Sequence, residues 1–322
     1  MISNSFVSVV IPTNKRELNY LQRAVESVLN QTYTNYEIVI VDDNSEIPEC
    51  RKIVSDYVNS LNNDKIRLFL NEKNLGGSLT RNRGIDESRG EYIAFLDDDD
   101  AFLPYRIEKM LAFMQEEDCD FAFSNLLMRT NNGKIVDYRT HRGMKSNDND
   151  YLLHYQLTKN ISGTSSFMFR TDAIRKIGGF KDAKMGQDFY IVMRAVEGGL
   201  KIRYFDSDSV IIYKHSDGGI SQGRNKITGE NNLFEFKKGY FDILTKDEIN
   251  YVKFRHYAVM AVAYKRNKMI LPMIGSGFSA FFSSPADCLK EVSGFFKNVT
   301  GERRNDEGVP TEIRKNQETV TK

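Results

Sequence analysis

Tyr92-Ile93-Ala94-Phe95-Leu96-Asp97-Asp98-Asp99-Asp100 sets the architecture of this chain, because a short apolar run leads straight into four aspartates. The apolar run predicts a buried strand, and four adjacent carboxylates at its end are costly to crowd together unless a cation compensates them. Open α/β sheets bind their ligands at the carboxyl ends of such strands. Carboxylates are also preferred ligands of hard divalent ions, which usually arrive with substrate phosphates. The alternative interpretation is a solvated acidic turn.

A second junction of the same kind makes that alternative hard to sustain, since Ile38-Val39-Ile40-Val41 runs directly into Asp42-Asp43-Asn44-Ser45. Strand and helix patterns alternate around both junctions, and the strands are almost continuously apolar. This order predicts an α/β fold with a parallel sheet covered by helices on both faces. The predicted strands are 7–11, ended by Pro12, then 37–41, 66–70 and 92–96; the predicted helices are 18–29, 48–61, 74–88 and 104–116.

The second half of the chain follows a different pattern. Strands are predicted at 121–127, 164–170, 201–205 and 210–213, with a hairpin turn at 131–134, a loop at 141–150 and a helix at 186–197. From residue 231 to about 297 the pattern is helical and basic, and after Gly301 it is polar with mixed charge. We therefore expect a main domain at 1–225, a helical extension at 226–300 and a disordered tail at 301–322.

Composition excludes several classes of protein. The formal net charge is +1, from 45 basic and 44 acidic residues, which argues against a general nucleic-acid binder. Three widely spaced cysteines form neither a disulfide framework nor a zinc motif, so a reducing cytosol is the simplest compartment. The first residues lack a signal-peptide pattern, and the longest apolar stretch, 269–282, is shorter than the roughly 20 residues of a membrane-spanning helix. We expect a cytoplasmic protein, either free or peripheral on the cytoplasmic face of the membrane.

Several segments in order resemble glycosyltransferase family 2, the inverting nucleotide-sugar transferases with the GT-A fold. That fold is a Rossmann-like, mostly parallel mixed sheet with helices on both faces. The matching segments cover roughly residues 5–220: Val7-Ser8-Val9-Val10-Ile11-Pro12-Thr13, Ser27-Val28-Leu29-Asn30-Gln31-Thr32-Tyr33, Val41-Asp42-Asp43-Asn44-Ser45, Asn74-x-Gly76 with Arg81-Asn82-x-Gly84, Phe95 to Asp100, Gly186-Gln187-Asp188-Phe189 and His215.

The resemblance implies a divalent cation, Mn or Mg, bound by Asp99 and bridging the diphosphate of a UDP-sugar. Asp97 and Asp98 would orient the ribose or metal-bound water, although four adjacent aspartates leave this register open by one position. His215 lies where the family often has a histidine near the metal or phosphate, and a structural role is the alternative. Such a cation would compensate the charge of a departing diphosphate.

Other motif residues imply contacts with the donor. Asp43 matches the residue that accepts a hydrogen bond from the uracil ring N–H, while Asp42 either contacts the donor or supports the turn. Pro12 and Thr13 would lie beside the base, or Thr13 makes an ordinary hydrogen bond at a strand end.

The segment from Asn74 through Gly76 to Arg81 could offer helix-start N–H groups or a guanidinium to the phosphates. A plain helix cap, with Arg81 on a solvated face, is the alternative.

We predict that Asp188 is the catalytic base, because inversion requires a group that takes the proton of the attacking acceptor hydroxyl. Many family members have Glu-Asp here, whereas this chain has Gln187-Asp188, so the base is kept and one charge is lost. A carboxylate that merely stabilises a helix start is the alternative. Gln187, Thr164 and Ser165 are predicted to contact the acceptor sugar, although the two hydroxyls equally suit a strand edge.

The aromatic and basic C-terminal part has two interpretations. It lies on an anionic membrane surface and brings a lipid-linked acceptor to the site, or it is a helical lid packed on the catalytic domain. Its residues are Phe234, Phe236, Tyr240, Phe241, Lys253, Arg255, Lys265, Arg266 and Lys268.

Together these features predict a metal-dependent, inverting glycosyltransferase that moves a sugar from a UDP-sugar to a saccharide or lipid-linked saccharide in surface polysaccharide assembly. A phosphorelay receiver would leave Asp97 to Asp100 and Asp188 unexplained. Sugar nucleotidyltransferases and dinucleotide-binding dehydrogenases need a glycine-rich loop after the first strand, where this chain has Pro-Thr-Asn-Lys-Arg. The remaining alternative is a sugar-binding protein of the same fold without catalysis.

Overall fold

The computed structural model describes residues 4–161, 163–214 and 223–291. The strands are β1 (Val7–Thr13), β2 (Tyr36–Asp42), β3 (Ile66–Leu70), β4 (Tyr92–Phe95), β5 (Ala101–Phe102), β6 (Phe121–Ser124), β7 (Leu126–Arg129), β8 (Ile135–Arg139), β9 (Phe167–Arg170), β10 (Ile202–Phe205) and β11 (Val210–Tyr213). The α-helices are α1 (Leu18–Leu29), α2 (Pro48–Leu61), α3 (Gly76–Glu87), α4 (Arg106–Glu116), α5 (Asn149–Lys159), α6 (Thr171–Lys176), α7 (Gln187–Glu197), α8 (Gly223–Lys238), α9 (Lys246–Arg266) and α10 (Ile270–Ser283).

A seven-stranded sheet forms the centre, with the strand order β10-β6-β9-β4-β1-β2-β3. Strand β9 runs antiparallel to β4 and β6, and the other neighbouring pairs of the described sheet are parallel. Parallel neighbours need long crossover connections, which α1, α2 and α3 supply. The predicted mostly parallel mixed sheet is therefore confirmed.

Helices cover both faces of this sheet because the central strands are apolar on both sides. Val9 packs in one buried core with Leu21 and Val25 of α1, whereas its neighbour Val10 packs in a second core with Ile85 of α3. Successive side chains of a strand point to opposite faces, so the two cores lie on opposite sides of β1.

The topology brings the two strand-to-aspartate junctions to one edge. Strands β4, β1 and β2 are adjacent and parallel, and Thr13 at the end of β1 pairs in register with Asp42. The Asp43 N–H donates to the Thr13 carbonyl at 2.9 Å. The residues that follow β1, β2 and β4 therefore meet at the carboxyl edge of the sheet.

The strand predicted at 121–127 is wrong as a single element. It is broken at Asn125 into β6, in the central sheet, and β7, in a second sheet with the order β5-β11-β7-β8. The buried Asn125 amide donates to Asp206 Oδ1 and Asp208 Oδ1, both at 2.8 Å. These distant carboxylates hold the chain where it leaves one sheet for the other. The hairpin turn predicted at 131–134 is confirmed, since it joins β7 to β8.

Two further predictions need correction. The loop predicted at 141–150 ends earlier because α5, which was not predicted, begins at Asn149; the Asp148 carboxylate caps this helix by accepting from Tyr151 N at 2.8 Å. Thr164–Ser166 is a single 3-10 turn instead of the start of a strand, and β9 begins only at Phe167. The Ser166 N–H donates to the Gly163 carbonyl at 2.8 Å and closes that turn.

The C-terminal helices begin at Gly223, slightly before the expected boundary. The aromatic side chains of α8 and the loop after it, Phe234, Phe236, Tyr240 and Phe241, pack against a buried cluster that includes Phe189 and Tyr190 of α7 and Val252 of α9. These residues thus follow the lid interpretation. Among the helices of residues 4–161, 163–214 and 223–291, none is both long and apolar enough to cross a membrane. His215 and the tail expected to be disordered lie outside the described residues.

Candidate functional site

A cleft of about 1600 Å³ opens at the carboxyl edge of the central sheet. The loop after β1, the four aspartates, the start of α3 and the start of α7 form one end of it, and α5 with the C-terminal helices forms the other. Most of the predicted site residues line this cleft: Pro12, Thr13, Asp43, Gly76, Arg81, Asp97, Asp98, Asp99, Thr164, Ser165, Gln187 and Asp188.

Asp98 is buried at the floor of the cleft. Its Oδ2 accepts from the Thr13 hydroxyl at 2.7 Å, and its Oδ1 accepts from Arg16 Nε at 3.2 Å. Burial raises the Asp98 pKa to about 7, with the Arg16 charge opposing the rise and the Asp99 charge adding to it. Thr13 therefore contacts the aspartate cluster, which makes a hydroxyl at the end of β1 part of the site.

Arginines hold the outer aspartates. The Arg16 guanidinium pairs with Asp99 at 2.8 Å, and Arg81 donates a short hydrogen bond to Asp97. Asp100 points inward, where it accepts from the Ser165 hydroxyl at 2.7 Å, and burial raises its pKa well above the usual range. The two guanidinium groups thus contact three of the four carboxyl groups, and the cluster has more carboxyl groups than contacting guanidinium groups, which suits the binding of a further cation.

The donor set fits a divalent ion only as one shared with a ligand. Within the described residues, no group of three His, Cys, Asp or Glu side chains could hold a metal ion. Mg²⁺-type sites commonly use one or two carboxylates and complete the coordination with water and substrate phosphates. Asp99 and Asp97, which are partly exposed at the cleft, suit that arrangement.

Asp43 organises the loop in front of α3. Its Oδ1 accepts from Asn71 Nδ2 at 2.7 Å and from Leu75 N at 2.8 Å, and its Oδ2 accepts from Gly76 N at 2.9 Å. A carboxylate pairs well with N–H groups at the start of a helix, because these N–H groups carry a partial positive charge. Asp43 therefore shapes the wall of the cleft as well as lining it.

The structure does not bring Asp42 or Asn74 to the lining of the cleft. Asp42 is fully buried, and its Oδ1 accepts from Asn44 N at 2.7 Å, so it supports the turn. The Asn74 amide lies 3.4 Å from the Asp43 carbonyl and belongs to the loop behind the wall. The donor contacts expected for these two residues find no support in this geometry.

Asp188 lies at the first turn of α7 and faces the cleft. Its carboxylate accepts from Gly163 N at 3.1 Å and Phe189 N at 2.9 Å. The neighbouring Gln187 accepts from Arg81 at 2.6 Å, and the same guanidinium contacts Asp97. One arginine side chain therefore joins the aspartate cluster to the segment that carries the predicted base.

Thr164 and Ser165 are buried beside this segment, on the 3-10 turn. Ser165 bonds inward, since its Oγ accepts from Asp97 N at 3.1 Å and donates to Asp100. Its predicted contact with the acceptor thus competes with a role in holding the aspartates.

Sequence reasoning overlooked Arg16 as a site residue. It lies three positions after Thr13 and bonds both Asp98 and Asp99. An arginine in the loop after the first strand was the available signal, because crowded carboxylates require a nearby cation. The cleft residues from α5 and α9, such as Lys159 and Arg255, had no local signal of this kind.

The fold and the site together define a GT-A glycosyltransferase fold. The structure resembles that of S. aureus TarS in complex with UDP-GlcNAc, with a TM-score of 0.55 and 19% sequence identity over 86% of this chain and 91% of that one. The sequence profile of glycosyl transferase family 2 matches residues 8–178. This chain belongs to glycosyl transferase family 2.

Two curated relatives illustrate the similarity. An uncharacterized glycosyltransferase of Methanocaldococcus jannaschii is 30% identical over 197 residues, which are 61% of this chain and 66% of the relative. A putative teichuronic acid biosynthesis glycosyltransferase, TuaG of Bacillus subtilis, is 35% identical over 136 residues, 42% of this chain and 52% of the relative. The chain thus matches between about half and two thirds of the length of these relatives.

Proposed function

We propose that this protein is a metal-dependent, inverting glycosyltransferase that moves a sugar from a UDP-sugar to a hydroxyl of a saccharide or lipid-linked saccharide, in cell-surface polysaccharide biosynthesis. The observation that carries the proposal is the bridge through Arg81, whose guanidinium contacts Asp97 on one side and Gln187, next to Asp188, on the other. A leaving-group site and a proton acceptor are thereby held in one cleft.

Asp188 takes the proton of the acceptor hydroxyl in this proposal. Two backbone N–H groups donate to its carboxylate and hold it in place at the cleft. Its position in the first turn of α7 adds the favourable end of the helix dipole. The neighbouring Gln187 contributes no charge that would compete for the proton.

The aspartate cluster, at the same end of the cleft as Asp188, receives the nucleotide in this proposal. Asp99, with Asp97, would hold a Mn or Mg ion, which when bound supplies positive charge against the leaving diphosphate. The Arg16 and Arg81 guanidinium groups lie against the same carboxylates and would contact the phosphates as well. Asp43 Oδ2 accepts from Gly76 N, and a carboxylate oxygen has a second lone pair for the uracil ring N–H.

The comparisons support this donor by analogy. Structures of S. aureus TarS are described with UDP-GlcNAc and with UDP, and the B. subtilis relative is named for teichuronic acid biosynthesis. We therefore assign a UDP-sugar as the donor class and a cell-surface polysaccharide as the product class.

Titration calorimetry with UDP, with and without Mn²⁺, tests the proposal. Mn²⁺ is expected to tighten UDP binding to the wild-type protein. Asp99→Asn is expected to weaken UDP binding in the presence of Mn²⁺ by at least about tenfold, the lower limit for substitutions at partners of a bound metal. Asp97→Asn, measured beside it, resolves the register of the aspartates.

Asp137→Asn is the matched control, because this carboxylate also lines the cleft but pairs with Arg139. Equal UDP affinity with and without Mn²⁺ would contradict the metal. Tight UDP binding without turnover of any UDP-sugar would instead favour the non-catalytic sugar-nucleotide-binding protein.

A further inference from the structure

Helix α10 presents a continuous apolar face to solvent. Leu271, Phe278 and Phe282 are 82%, 62% and 76% exposed, and Ile274 lies between them on the same side of the helix. Their spacing of three or four residues places them along one stripe. Large exposed apolar patches mark sites of interaction, because water contact with such a surface is unfavourable.

The opposite side of α10 rests on the protein. Ala280 is buried, and α10 packs along α9. The helix is therefore held in place by its small and inward residues, while its largest side chains point away from the core. The aromatic residues of α8, by contrast, pack inside the protein, Phe236 against α7 and Phe234 against His256 of α9.

The charged residues that precede this stripe in the chain have one sign. Every charged residue between Glu248 and Asp287 is basic, and none lies between Lys268 and Asp287. Lys265, Arg266 and Lys268 are exposed immediately before the helix. A second copy of this chain would bring the same positive charge to the stripe, whereas an anionic bilayer would bring the opposite charge.

We propose that α10 is a membrane-docking helix that lies in the interface of an anionic lipid bilayer. Its 14 residues are about 21 Å long, which is shorter than the roughly 30 Å hydrocarbon core, so it lies along the surface and does not span it. The apolar stripe enters the acyl boundary, and the three basic residues contact lipid headgroups, as in other interfacial amphipathic helices.

This docking places the catalytic cleft beside the bilayer. Arg255 and Val259 of α9 line the cleft, and so does Glu291, which follows α10 and lies 3.3 Å from Arg255. Cleft-lining residues therefore precede and follow the docking helix. The consequence, which rests on the proposed function, is that the acceptor is a lipid-linked saccharide presented from the membrane surface.

Vesicle co-sedimentation of the full chain tests the docking without using catalysis. We expect the wild-type protein to sediment with vesicles of phosphatidylcholine and phosphatidylglycerol, and to do so much less with phosphatidylcholine alone. Replacing Lys265, Arg266 and Lys268 together by Gln should weaken binding by about fivefold per charge. The triple variant Leu271→Ser, Phe278→Ser, Phe282→Ser should abolish binding.

Matched controls separate docking from general surface effects. Replacing the exposed Lys73, Lys134 and Lys176 by Gln, or Ile53 by Ser, should leave vesicle binding unchanged. The α10 variants should bind UDP like the wild type, because their residues lie outside the cleft lining. Preserved UDP binding also shows that these variants fold.

Two results would overturn the proposal. One is a wild-type protein that does not sediment with anionic vesicles. This includes the case in which light scattering shows that the wild-type protein is a dimer and the Leu271, Phe278 and Phe282 variant is a monomer. The other is vesicle binding that survives in that variant. Failure of the glycosyltransferase proposal would leave the vesicle result unaffected, so the two failures are distinguishable.

Discussion

Replacing Asp188 by asparagine removes the proposed proton acceptor and preserves the shape of the side chain. The carboxylate accepts from two backbone N–H groups, those of Gly163 and Phe189. Asparagine keeps one acceptor oxygen and turns an NH₂ group toward the other N–H. We expect this to cost about 1–3 kcal/mol of unfolding free energy, the range for a hydrogen bond to a charged group or an unsatisfied buried donor.

The catalytic effect should be larger than the effect on stability. General-base catalysis contributes about 10²–10⁴-fold to a rate, which corresponds to about 3–5 kcal/mol of activation free energy. Donor affinity should change little, because the aspartate cluster contacts Arg16 and Arg81 and not Asp188. The substitution should therefore lower kcat and leave UDP binding near its wild-type value.

The assay follows release of UDP from saturating UDP-sugar, with calorimetry for UDP binding and thermal unfolding for stability. Asp182→Asn is the matched control, because this exposed carboxylate lies six residues earlier and outside the cleft lining. If Asp188→Asn kept more than about a tenth of the wild-type kcat, far above the expected range, the assignment of the base would be refuted.

Two further substitutions test the fold around the cleft. Burial lowers the pKa of His141 to about 4 from 6.5, so its contribution to stability is present above pH 6.5 and is lost as the pH falls toward 4, by up to about 3 kcal/mol. His141→Gln, which can still bond the Tyr155 hydroxyl, should flatten this loss in denaturant unfolding at the two pH values, and equal losses in both proteins would contradict the reasoning. Gly84→Ala would place a Cβ 2.3 Å from Val10 Cγ1 where α3 meets β1, which should cost about 1–3 kcal/mol. Gly143→Ala, with open space around it, should cost much less, and similar melting temperatures for the two variants would show that the contact relaxes.

Local patterns accounted for much of the architecture. Helices α1 and α2 have the predicted bounds, because an amphipathic repeat marks the first and a proline in the first turn marks the second. The parallel strands β1, β2 and β4 were readable as apolar runs, since strands buried on both faces contain almost no polar residues. One strand prediction failed because distant partners set the element: two aspartates about eighty residues away hold the break at Asn125 in place.

The cleft shows the same division. The chain order of residues was enough to indicate that carboxylates would gather at the carboxyl edge of a parallel sheet, because strand polarity alone puts those ends together. Which partner each guanidinium group meets depended on folding: Arg16 reaches Asp98 across 82 positions of the chain, and Arg81 reaches Gln187 across 106. Likewise, the sequence does not distinguish the apolar residues of α8 from those of α10, yet Phe234 and Phe236 of α8 pack on α9 and α7, whereas Leu271, Phe278 and Phe282 of α10 face solvent. The residue type determines the chemistry of a side chain. The partner and the exposure of that side chain are decided only when segments distant in the chain come into contact.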